Sequence, residues 1–243
     1  MKNNSLSILE YYARKALPRA LIVLAVMAAA EMLYIGSATP FSPIVSLQEE
    51  VNFMLIVYTA ARLLIFFLIG GPSAGKSNYL IRMRMLNVTE NKAFRLNIFV
   101  NIMVYVIAWA VQQMLVLYLA KKCTALPEYT FGPQGFFSLL VQAHGGQAML
   151  PTDRFFFWVT CAAELLSLSI GSACFRFARM YRRFPAAAVI IVVLTIGTQF
   201  YILAGSYALA LSSFAMIIAW IGYFAQHERA NNRDEKKEAE YEN

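Results

Sequence analysis

Residues 70–97, GGPSAGKSNYLIRMRMLNVTENKAFRLN, form a basic and mostly polar segment with a long apolar run on either side. Gly70 to Ser77 fit G-x-x-x-x-G-K-S, which between a buried strand and a soluble helix would cradle phosphates with backbone N–H groups and a lysine. Here the motif ends a twenty-residue apolar run that contains Arg62, and the chain has no room for the other strands and helices of a nucleotide-binding domain. The segment therefore reads as a cytoplasmic loop between two membrane helices, with Gly70, Gly71 and Pro72 ending a helix and Lys76 acting as an inside-positive anchor. Asn87-Val88-Thr89 matches a glycosylation sequon but falls in the same cytoplasmic loop.

The composition agrees. The chain is 59% hydrophobic and 14% charged, with mean hydropathy +0.54, whereas soluble domains carry roughly 25% charged residues. Its apolar residues gather into six runs, about Leu17–Gly36, Val51–Gly70, Ile98–Ala120, Phe155–Phe175, Ala186–Ala204 and Tyr207–Ala225. Each is near the roughly 20 residues that carry an α-helix across a hydrocarbon core of about 30 Å. The predicted fold is all-α: a six-span polytopic membrane domain over residues 17–226, preceded by a cytoplasmic or interfacial helix over 1–16 and followed by a charged cytoplasmic tail over 227–243.

Lysine and arginine set the orientation. The lead before the first run, the 2–3 loop, the 4–5 loop and the tail hold 17 of the 21 basic residues, against Lys121, Lys122 and Arg154 on the other side. By the positive-inside rule both termini are cytoplasmic. The net charge of +7 is thus largely a topology signal, supplemented by attraction to anionic lipid, and requires no nucleic-acid partner. The first run is full length, follows a charged lead and lacks a cleavage site, so it is expected to be a span and not a signal peptide. Leu6, Leu9, Tyr12, Ala13 and Ala16 share one helical face before Pro18; either an interfacial helix or a simple lead-in to span 1 fits.

Cys123, Cys161 and Cys174 lack metal-ligand spacing, and the two histidines, His144 and His227, fall in opposite compartments. No metal and no cofactor are expected, and the cysteines read as packing residues. Ala163, Ser167 and Gly171 make a small-residue stripe on span 4 for close helix approach. Phe136 to Ala143, in the long 3–4 loop, is too short to span and reads as a shallow re-entrant or interfacial helix.

Three sets of residues are candidates for function. Arg62 in span 2 and Glu164 in span 4 lie at similar depth; a charge at mid-bilayer is costly, so each should face inward and find a partner, with Arg62–Glu164 the first pairing and Glu31 of span 1 the other candidate. Asn97, Asn101, Tyr105, Ala108 and Gln112 on span 3 fall within about an 80° arc at 100° per residue, a polar face that either joins helices or lines a path. Tyr79, Leu80, Arg82, Met83, Arg84 and Leu86 belong to a short helix over Asn78–Leu86, and Thr89 with Glu90 supplies an N-cap and first-turn acid for span 3.

The arrangement YLIRMRMLNVTENKAFRLNIFVNIMVYVIAWAVQQ resembles the permease subunits of bacterial ABC-2-type transporters, and FGPQGFF…AMLPTDRFFFW with FRFARMYRRFP looks like six-span permeases of that class. The resemblance covers most of Gly70 to Pro185. It implies that Asn78–Leu86 is a coupling helix docked on a separate ABC-type ATPase, and that two six-span halves, identical or sister chains, form one translocation unit in the bacterial cytoplasmic (inner) membrane. The chain departs from better-known members in its almost absent 5–6 outer loop, which moves the expected outer gate to the 3–4 loop. The expected function is the non-catalytic permease half of an ATP-driven exporter; the alternative is a six-span scaffold or sensor that binds a cytoplasmic partner without transporting. An intramembrane enzyme lacks support, with no H-E-x-x-H, no nucleophile beside a base and no acidic dyad in the spans.

Overall fold

The computed structural model describes residues 4–37, 43–71, 90–124, 155–180, 214–222 and 225. The glycine-lysine motif after Gly71, the Asn78–Leu86 segment, the 3–4 loop after residue 124, span 5, the first part of span 6 and the charged tail lie outside the described residues. Those described are helical apart from Gly71, in five helices: α1 (Asn4–Ser37), α2 (Pro43–Gly70), α3 (Glu90–Thr124), α4 (Phe155–Met180) and α5 (214–222). Three of them, α1, α2 and α3, are long and apolar enough to cross a membrane.

Helix ends fall where the chain chemistry places them. The α2 helix stops at the Gly70-Gly71 pair, and α3 begins at Glu90, an acid favourably placed at a helix N-terminus. Helix α2 starts at Pro43, eight residues before the apolar run, because proline's fixed φ suits a first helical position.

Of the two readings of the N-terminal segment, a separate interfacial helix or a lead-in to span 1, the structure shows a lead-in that is already helical: α1 is one continuous helix of 34 residues with Pro18 inside it. Ile8, Tyr12, Ala16, Ala20, Leu24, Met27, Glu31 and Ile35 recur every three or four residues and are all buried. One face thus packs on the bundle from end to end, and that packing outweighs the backbone hydrogen bond that Pro18 cannot make. The N-terminal turns lie against protein, and Leu6, expected on their apolar face, is exposed.

The four long helices form a square in the order α1, α2, α4, α3, each packed on its two neighbours. Contacts at both ends give their directions. Arg19 Nη1 donates to Leu68 O at 3.2 Å, supplying one of the orphan carbonyls at the C-terminus of α2, while the rings of Tyr34 and Phe53 stack at 3.9 Å near the opposite end. Phe94 meets Phe177 edge-on at 5.2 Å, and Lys122 Nζ donates to Ile35 O. So α1 and α3 run one way and α2 and α4 the other.

Small residues set the closest approaches. A Cβ on Gly171 would lie 2.7 Å from Trp220 Nε1 and 3.1 Å from Phe66 Cε2, so glycine is what lets α5 and α2 close on α4. Cys174 completes that seam, donating its thiol to Trp220 O at 3.6 Å.

The polarity of the bundle is inverted relative to a soluble protein. Ile22, Val26, Leu33, Ile56, Leu64, Phe99, Met103, Met114 and Leu117 are exposed on the outside. Glu31, Arg62, Asn97, Asn101, Gln112 and Glu164 are buried inside. An apolar coat over polar seams is what a hydrocarbon solvent selects, since polar groups there must be satisfied within the protein.

Candidate functional site: the polar interior of the bundle

Helix α3 carries the centre of the site. Asn97, Asn101, Tyr105, Ala108 and Gln112 are each 0% exposed, so the polar face points wholly into the bundle. On the opposite side of the same helix Phe99, Met103 and Met114 meet the surroundings.

The face divides into two parts. At the end nearer residue 90, Asn101 Nδ2 donates to Ser172 Oγ at 2.8 Å and to Ser169 O at 3.2 Å on α4. One turn below, Arg176 Nη1 donates to Asn97 Oδ1 at 2.9 Å, with its guanidinium 4.9 Å from the centre of the Tyr12 ring. Ser172 and Ser169 return their own hydroxyls to carbonyls of α4, at 3.1 Å and 2.6 Å. These bonds join α3 to α4; interhelical hydrogen bonds in membranes contribute about 0.6 kcal/mol each on average.

Beyond Asn101 the partners run out. Tyr105 Oη, which stands near Ser172, both polar atoms of Gln112 and both carboxylate oxygens of Glu31 are buried and complete no hydrogen bond. Gln112 and Glu31 approach each other across the α1–α3 interface without completing a hydrogen bond. Trp109 Nε1, one turn away, is likewise unpartnered, its ring packed edge-on against Trp158 at 5.9 Å.

Between these parts stands the ion pair. Arg62 Nη1 lies 3.0 Å from Glu164 Oε2, with both side chains almost fully buried. The Tyr58 ring, one turn before Arg62, lies 4.4 Å from the guanidinium carbon, within cation–π range. Of the two candidate partners for Arg62, the structure places Glu164 there and leaves Glu31 beside Gln112.

Arg176 is a residue that sequence reasoning misplaced. The 4–5 loop, counted from the end of the apolar run at Phe175, takes in its charge, whereas it sits inside α4 and is 6% exposed. The signal was available: Ser169, Ser172 and Arg176, at offsets 0, 3 and 7, share about a 60° arc that an apolar-run count overlooks. Tyr58 was missed because an aromatic in a membrane run carries no sign of its cation partner four residues on.

Among the described residues no three metal-ligating side chains cluster. Tyr79, Leu80, Arg82, Met83, Arg84 and Leu86 lie outside the described residues. Comparison with models of protein families, with curated proteins and with solved structures finds no match for this chain.

Proposed function

We propose that the chain is the membrane-spanning permease subunit of an ATP-driven exporter, with six spans and both termini on the cytoplasmic side of a bacterial inner membrane. The observation that carries this reading is the run of unpartnered buried polar atoms on Tyr105, Gln112, Glu31 and Arg62, inside a bundle with an apolar coat. Polar groups held in hydrocarbon without partners are destabilising unless water or a solute meets them in some state of the protein. A helix whose polar face is bonded at one end and open along the rest suits a path that two bundle halves expose alternately.

Coupling in this reading rests on the sequence. Asn78–Leu86, joining α2 to α3, would dock on an ABC-type ATPase, and ATP-driven movement of that segment would be passed to α3, which it directly precedes. A second permease half would complete the path, and no residue of this chain hydrolyses anything.

The experiment is co-purification with a candidate ABC-type ATPase, sought first in a neighbouring reading frame. Arg82→Ala, Met83→Asp and Arg84→Ala together should release the ATPase while the permease still elutes as a folded species. Retention of the ATPase by the triple variant would remove the coupling assignment, and absence of any bound ATPase from the parent chain would leave the scaffold reading in its place.

A further inference from the structure

We propose that Arg62 and Glu164 form an occluded binding site for a zwitterionic ligand, its anionic group on the free edge of the guanidinium and its ammonium on the free carboxylate oxygen. The inference names a substrate class for the proposed permease, and it rests on that reading only for the claim that the ligand is moved.

The geometry leaves a specific set of atoms open. Glu164 uses Oε2, and Arg62 uses Nη1, for their mutual contact. Arg62 Nε and Nη2, and Glu164 Oε1, are buried without hydrogen-bond partners. Nε and Nη2 lie on one edge of the guanidinium plane and present parallel N–H donors, the fork that matches two oxygens of a carboxylate or phosphate. An ion pair selected only for stability would be expected to turn that edge toward its own carboxylate, because a buried charged donor left unused carries the full desolvation penalty.

The surroundings orient the same edge. The Tyr58 ring packs under the guanidinium plane, and the Tyr58 hydroxyl stands close to the guanidinium. Ser167, three residues after Glu164 on α4, is 2% exposed with its hydroxyl unpartnered. Charge then selects the ligand. The Arg62–Glu164 pair is neutral, so a lone anion or a lone cation would leave one uncompensated charge in a medium of low dielectric, whereas a zwitterion leaves none.

Two sources carry this chemistry: a dissolved amino acid-like solute and a phosphatidylethanolamine headgroup. The test uses the full chain, delipidated in detergent and without an ATPase, with two probe sets. One compares phosphatidylethanolamine with phosphatidylglycerol by native mass spectrometry, and the other compares β-alanine with propionate and propylamine by equilibrium binding. At least one zwitterion should bind about tenfold better than its singly charged counterparts, a difference of about 1.4 kcal/mol. Preference in the lipid set assigns the headgroup, and preference in the solute set assigns the free zwitterion.

Arg62→Lys keeps the pair neutral but lacks the guanidinium edge, and should weaken zwitterion binding about tenfold while helix content and elution stay as in the parent. Glu164→Gln keeps an oxygen for Arg62 but removes the negative charge, and should raise binding of the anionic probe to that of the zwitterion; it serves alone if Arg62→Lys does not fold. No zwitterion preference in either set, or zwitterion affinity unchanged in Arg62→Lys together with an unchanged preference in Glu164→Gln, would overturn the site. Because no ATPase is present, such a failure leaves the coupling assignment standing, and release of the ATPase in the earlier experiment leaves this one readable.

Discussion

Arg62 lies eleven residues into an apolar run, where a guanidinium with no counter-charge would cost about 2.5–3.5 kcal/mol even on insertion scales. Its ion pair with Glu164 changes what substitution does there. Removing one partner leaves a buried charge, so Arg62→Met should destabilise the bundle by about 3–5 kcal/mol, and Arg62→Met with Glu164→Leu should recover most of the loss. Reversible unfolding in mixed micelles reads both, and a double variant no more stable than the single one would deny the coupling. Gly171 is the steric counterpart. Gly171→Leu should push Trp220 out of its seat, since even a Cβ would stand 2.7 Å from its Nε1, and the change is visible as altered tryptophan emission and near-UV circular dichroism that Gly171→Ala shows more weakly. Arg62 and Glu164 were legible because charges interrupting apolar runs are conspicuous. Arg176 was not, because at the end of a run a basic residue reads first as a topology marker and only its spacing from Ser169 and Ser172 reveals a buried face.

At the scale of the element, α1 and α3 diverge in how well sequence described them. The polar face of α3 followed from five positions at helical spacing, and the structure gives each of them 0% exposure. In α1 the proline at 18 invited a boundary that packing overrides, because Ile8, Tyr12 and Ala16 are held by the bundle like Ala20 and Leu24 beyond it. Tyr12 also lies under the Arg176 guanidinium, a contact between elements that no local pattern encodes. Deleting residues 1–16 should therefore lower the yield of monodisperse protein severely, while a merely interfacial helix could be removed with the bundle intact. Size-exclusion chromatography after membrane extraction distinguishes the two. Asn101→Leu should weaken the α3–α4 seam by about 1 kcal/mol, within the range of membrane hydrogen bonds, because it removes donors to Ser172 and Ser169.

For the whole molecule, the square of four helices and its alternating directions place Arg14, Lys15, Arg19, Lys92, Arg95 and Arg176 toward one end and Lys121 and Lys122 toward the other. In the proposed orientation the end carrying residue 4 faces the cytoplasm. Of the six apolar runs, three lie in helices long and apolar enough to cross a membrane, α1, α2 and α3, and counting residues gives span length and not partners. The inward path makes a direct demand on accessibility. In a chain with its three native cysteines replaced, single cysteines at Asn101, Tyr105 and Gln112 should react with a small membrane-impermeant thiol reagent when the proposed complex with an ATPase cycles on ATP. Cysteines at Met103 and Met114, on the lipid side of the same helix, should stay unreactive throughout. Equal protection of both faces with and without ATP would contradict the account, because the polar face of α3 would then be helix glue alone.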